Sequence, residues 1–151
     1  MAPIFSRYIA FLILCFAMKN LLAQTSPVGL WKTFDDENGK AKSVIRIVES
    51  QGRLTGRIEK LLDPADSVEA KCDLCLDERR NQPILGLVIL RNFVPSEGKS
   101  NRWEGGDILD PENGKIYRAH LTLSEDRRQL DVRGYIGISI IGRTQHWRRA
   151  E

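Results

Sequence analysis

Two histidines, His120 and His146, and three cysteines are all that 151 residues offer, and that scarcity removes much metal and nucleophile chemistry at once. A structural zinc needs four thiol, imidazole or carboxylate ligands. The one Cys-x-x-Cys pair, Cys72 and Cys75, has neither a second pair nor paired histidines to complete such a set, so no metal and no cofactor are expected. There is no Gly-x-Ser-x-Gly elbow, because "GISIIG" sets Ser139 between the wrong neighbours, and no glycine loop that would cradle phosphates. No segment combines the length, period and caps of a helix, apart from a turn expected within 63 to 80. Only one apolar run is long enough to invite a membrane reading, and it lies near the N-terminus.

That run, "YIAFLILCFAM" after Arg7, has the length of a secretory leader core and is too short to span a bilayer. The polar "KNLLAQTSP" follows, and cleavage is expected after Ala23, so residues 1–23 form a signal peptide and 24–151 a single domain. Leu14 before Cys15 is too large for lipoprotein processing. The expected location is therefore outside the cytoplasm, periplasmic or extracellular. Of 23 basic groups, removal of Arg7 and Lys19 leaves 21 against 20 acidic ones, a balance that argues against nucleic acid or a membrane surface as partner. No stable membrane insertion is expected once the leader is gone.

What remains reads as strands. In "KIYRAHLTL", Tyr117, Ala119, Leu121 and Leu123 alternate with Ile116, Arg118, His120 and Thr122, the period of a half-buried antiparallel strand. Similar runs fall at 29–34, 42–49, 53–62, 84–93, 102–109, 129–137 and 139–147. About eight strands close a small up-and-down barrel, so the expected fold is all-β. Asn38-Gly39 and Asn113-Gly114 suggest type I′ hairpins, with looser turns at "ESQGR" and "SEDRRQ". The "ENGK" hairpins recur about half a chain apart, as if two similar units faced each other across the sheet, although common turn chemistry generates much of the match. The segment 63–80 is the longest without strand pattern and is expected to interrupt the meander.

The acidic turns are poor calcium loops, because the first ligand position falls on Phe34 in one and Leu109 in the other. Asp35, Asp36 and Asp110 fit turn formation better, their carboxylates accepting from backbone N–H groups. An enzyme using Asp35 or Asp110 with Arg133 or Arg143 is the least supported function; no catalytic residue is assigned. His120, on the polar strand face, and His146, beside Trp147, read as solvated or interface residues. A redox role for Cys72 and Cys75 would want a helix N-terminus in a βαβ setting. Outside the cytoplasm a local disulfide leads, fixing the shape of the 63–80 connection and adding roughly 2 kcal/mol or less to stability. If the barrel has a mouth, this loop is expected as its lid.

"GLW" opens the first strand and "GRTQHWRR" closes the last. In a closed barrel these strands are neighbours, so Arg143 or Arg148 can lie over the Trp31 indole. This Gly-x-Trp and late-Arg arrangement resembles that of lipocalins (calycin-like barrels). Arg46, Arg118 and Arg133 occupy strand positions where a one-residue slip decides between interior and solvent. Two of them pointing inward would favour an anionic ligand; pairing with Glu59, Glu125 or Asp131 at the surface is the plainer outcome for each. Trp31, Arg46, Arg118, Arg133, Arg143 and Trp147 are the candidate ligand-binding residues.

Together, "GLWKTFDDENGKAKSVIRI", the Cys-x-x-Cys segment, "ILGLVIL", "WEGGDILDPENGKIYRA" and "LDVRGYIGISIIGRTQHWRR" resemble the bacterial exported family called domain of unknown function 2147. The resemblance runs from Gly29 to about Arg148 and implies a lipocalin-like barrel in an exported protein. It implies no catalytic residues. The leading expectation is a non-catalytic binding protein for a small apolar or amphipathic ligand; the alternative is a packed structural or interaction protein of the envelope.

Overall fold

The computed structural model of the protein describes residues 26–64 and 68–150; the expected leader and its cleavage point lie outside them. Eight strands run in succession: β1 (Gly29–Phe34), β2 (Ala41–Ser50), β3 (Arg53–Leu61), β4 (Val88–Pro95), β5 (Arg102–Asp110), β6 (Lys115–Leu123), β7 (Gln129–Tyr135) and β8 (Gly142–Arg149). Each pairs antiparallel with the next and β8 returns to β1, closing an all-β barrel in simple chain order. The long connection between β3 and β4 therefore does not interrupt the meander.

Register puts the apolar set inside. Trp31 faces Ile45 across β1 and β2, Ile45 faces Ile58 across β2 and β3, and Leu121 and Leu123 of β6 face Val132 and Leu130 of β7. All of these side chains are buried. Hairpins alternate between the ends of the barrel. The turns at 51–52, 96–101 and 124–128 share one end with the N-terminal approach, and the connections 35–40, 62–87, 111–114 and 136–141 share the other.

The two "ENGK" hairpins sit at this second end with matching turn chemistry. Asp35 Oδ1 accepts from the backbone N–H groups of Glu37 and Asn38, and Asp110 Oδ1 accepts from that of Glu112. Gly39 N–H then donates to Asp35 O, as Gly114 N–H does to Asp110 O. Only the glycines have positive φ, so these are not the expected type I′ turns; the carboxylates favour an ordinary right-handed turn first. The two-residue turn with both φ values positive is Gln51-Gly52 (51° and 72°), where a looser turn was expected.

Two strand boundaries also differ from the sequence reading. β4 begins at Val88, not at residue 84, because Ile84 and Leu87 belong to the connection. β8 begins at Gly142, not at 139, and Ile136, Ile138, Ile140 and Ile141 project from the β7–β8 turn at 61–82% exposure.

Candidate functional site

One end of the barrel is filled. Trp31 is fully buried and donates Nε1–H to Pro27 O at 2.7 Å. Arg149 lies over its ring, 4.3 Å from the centroid, and donates to the carbonyls of Arg127, Val28 and Ser26. Gly29 makes room: at φ 132°, a Cβ there would stand 2.9 Å from Arg149 Nη1. The expected cation over the first tryptophan is thus present, but it is Arg149 and not Arg143 or Arg148. Arg149 shares the inward parity of Trp147, whereas Arg148 faces outward over Phe34 at 5.2 Å.

The other end encloses a cavity of about 880 Å³ that opens outward. Ile58, Ile89, Ile108, Leu109, Val132 and Trp147 supply much of its apolar wall. Its buried polar groups satisfy one another. Thr33 Oγ1 and Ser43 Oγ pair at 2.8 Å, and Trp147 Nε1 donates to Gln145 Oε1 at 3.0 Å. Charge is confined to the rim, where Asp35, Asp36, Glu37, Asp110 and Glu112 face Lys42, Lys71 and Arg143, five carboxylates against three cations. Lys42 pairs with Glu112 across the mouth, from β2 to the β5–β6 hairpin. Arg143 pairs with Asp36, which also accepts from Gln145 Nε2 at 3.5 Å. Those side chains join β1 to β8 above Lys32 and Arg148, where their ladder stops.

Of the candidate ligand-binding residues, Trp147 and Arg143 line this cavity. Trp31 lies beyond it in the filled end. Arg46, Arg118 and Arg133 stand on the outer face, since their neighbours Ile45, Ile47, Ala119 and Val132 point inward. Arg46 makes a two-pronged contact with Glu59 (2.8 and 3.0 Å), the surface pairing foreseen for it. Arg133 donates to Ser139 O, Ile140 O and Thr144 Oγ1, clamping the β7–β8 turn. Asp35 is committed to its turn, and those backbone N–H groups hold its carboxyl below the usual range.

The family model described as "Uncharacterized protein conserved in bacteria (DUF2147)" matches residues 29–149. The chain belongs to this family. Among solved structures it is similar to "Protein HP1028 from the human pathogen Helicobacter pylori belongs to the lipocalin family", with a TM-score of 0.71 at 20% identity, covering 83% of this chain and 84% of that one. That likeness is one of fold. No curated protein matches.

The Cys-x-x-Cys pair forms the Cys72–Cys75 disulfide, both residues fully buried. Among the described residues of its loop, Ala70, Lys71 and Ile84 reach the lining, where they form a side wall of the cavity. The loop lies tight against the β5–β6 hairpin, where a Cβ on Gly114 would come 1.9 Å from Leu74 O. Farther along, Arg79 is buried, at 3% exposure. It donates to Asp77 and to Val88 O, pinning the loop to β4. Asp107 on β5 faces the same cluster with Oδ1 buried and unpartnered. Burial pushes its carboxyl above the ordinary value, against the pull of Arg79 and Arg91.

His120 corrects another expectation. It faces outward yet is only 9% exposed, and its ring lies 6.0 Å from that of Tyr135. Burial, followed by the charges of Arg102 and Arg133, lowers its pKa. Neither Arg79 nor His120 was legible as buried, because neighbouring side chains, not strand parity, cover them.

Proposed function

We propose that the protein is an exported, non-catalytic binding protein for one small apolar or amphipathic molecule. The carrying observation is the open cavity of about 880 Å³ with an apolar wall, within the roughly 300–1,000 Å³ typical of ligand sites. Because its buried polar groups already bond to one another, the wall has little to offer a polar ligand and much to offer an apolar one. An interior packed solid, as the structural alternative requires, is found in only one end. An anionic head is disfavoured: Arg46, Arg118 and Arg133 do not point inward, and carboxylates outnumber cations at the rim. The polar end of the ligand is therefore neutral or cationic. The buried disulfide supports export, since such bonds persist in oxidising compartments.

Titration with the neutral probe N-phenylnaphthylamine tests this. Its fluorescence should rise saturably with the parent protein and fail to rise with Ile108→Trp, which fills the cavity. A dansyl-labelled fatty acid should bind more weakly. No saturable binding of either probe would sink the ligand reading, and tighter binding of the acid would overturn the choice of head group.

A further inference from the structure

The open end carries the apolar surface of the outside as well as that of the inside. Among the described residues, eleven large apolar side chains are exposed, and all but Val28 and Val48 belong to segments of this end. Four are isoleucines of the β7–β8 turn, Ile136, Ile138, Ile140 and Ile141, within a stretch, 136–142, that contains no charge. Leu74 (58% exposed) and Leu76 (87%) project from the disulfide loop at the same end. Water gives no reason to hold such a tip out, and exposed apolar clusters of this kind mark contact sites.

We infer that this end docks peripherally on a lipid surface, with the isoleucine tip entering the acyl boundary and the cavity mouth facing the lipid. Three observations select lipid over protein. A segment entering lipid must satisfy its own backbone, and this turn does so in part: Ser139 O and Ile140 O accept from Arg133, and Ile141 N–H donates to Ile138 O. A few projecting side chains are also far fewer than the roughly 20–30 residues a side of a stable protein interface, whereas interfacial binding scales with inserted apolar area. Finally, the tip is continuous with the mouth, since Ile136 and Ile141 both line the cavity. The charge balance that argued against a membrane surface bears only on electrostatic attraction. With carboxylates in excess at the rim, the attraction here is apolar. This docking holds whether or not the cavity takes a ligand.

Vesicle flotation is the test, with pure phosphatidylcholine vesicles and with phosphatidylcholine doped with phosphatidylglycerol. The parent should float with phosphatidylcholine, no more strongly when phosphatidylglycerol is present, and with little salt dependence. Ile138→Ser with Ile140→Ser should lose about tenfold or more in partitioning, as expected for two isoleucines withdrawn from an apolar phase. Val28→Ser with Val48→Ser, at the filled end, should float like the parent. Ile140→Trp reports the tip directly, independently of any other segment that contacts lipid: compared with the parent, the added indole's emission should shift to the blue when vesicles are supplied. A parent that does not float, an added indole whose emission stays unshifted, or equal flotation of the double-serine tip variant would overturn the proposal. So would a parent that is dimeric by light scattering while the tip variant is monomeric, because a second copy would then be the occupant.

Discussion

Trp31 and Trp147 occupy inward positions on adjacent strands, yet one belongs to a filled floor and the other to the wall of a cavity. The difference arises beyond the strands. Below Trp31, the backbone of Ser26 to Val28 and the guanidinium of Arg149 close over the ring and satisfy one another. Near Trp147, the hairpins spend their polar groups on their own turns and on rim ion pairs, and nothing among the described residues folds in to occupy the interior. A barrel of one repeating pattern thus acquires a filled end and an open end through what its loops do.

The largest expected contrast comes from cutting each end back. Trp31→Ala should cost about 3–5 kcal/mol in urea denaturation, whereas Ile108→Ala, on a half-buried wall beside existing space, should cost under about 2 kcal/mol. Equal costs would erase the distinction. Arg149→Ala should follow at about 2 kcal/mol, from a stacked cation and its bonds to carbonyl oxygens; a cost indistinguishable from that of Arg148→Ala would remove Arg149 from the floor. Cys72→Ser with Cys75→Ser should cost roughly 2 kcal/mol or less and leave a folded barrel. Proteolysis should then cut first within 63–80, and global unfolding at ordinary temperature would give the disulfide a larger role than the side wall.

The smallest effect concerns Asp107. Its proton is held more tightly in the fold than in the unfolded chain. The stability this confers is complete below the unfolded carboxylate value, about pH 4, and is lost as pH rises through the folded value. Asp107→Asn should therefore match the parent in acid and exceed it toward neutrality by under about 1 kcal/mol, the scale of partly screened charges. A gain that grows as pH falls would reverse the assignment.

Much of the frame was legible because period-two alternation survives in strands buried on one face. Ile45 and Ile47, or Leu121 and Leu123, announce their side without help from the rest of the chain. The open end was harder to read for a physical reason. "SII" before Gly142 looks like the start of a buried strand, because apolar residues usually bury, yet here they stand in the turn. Arg149 was missed by one position, since a single residue turns a strand side chain from the floor to the outside. The burial of Arg79 depends on where a long loop lands, and the cavity on what fails to fill it; neither is encoded in local spacing.

The topology also implies an order in time for the closure of this barrel. Seven strand pairings join neighbours in the chain; six of them close across short turns with little loop-closure entropy, and β3 to β4 closes across the longer 62–87 connection. The eighth, β1 to β8, has only two paired positions, Trp31 with Arg149 and Lys32 with Arg148, and must wait for the two ends of the domain to meet. The tryptophan and arginine that flank the domain then work as a clasp fastened last. The Ala150 amide, bonded to Leu30 O at 2.8 Å, reports that event. In pulse-labelled refolding it should gain protection after the amides of the β5–β6 hairpin, and protection gained at the same time or earlier would show that the ends meet first.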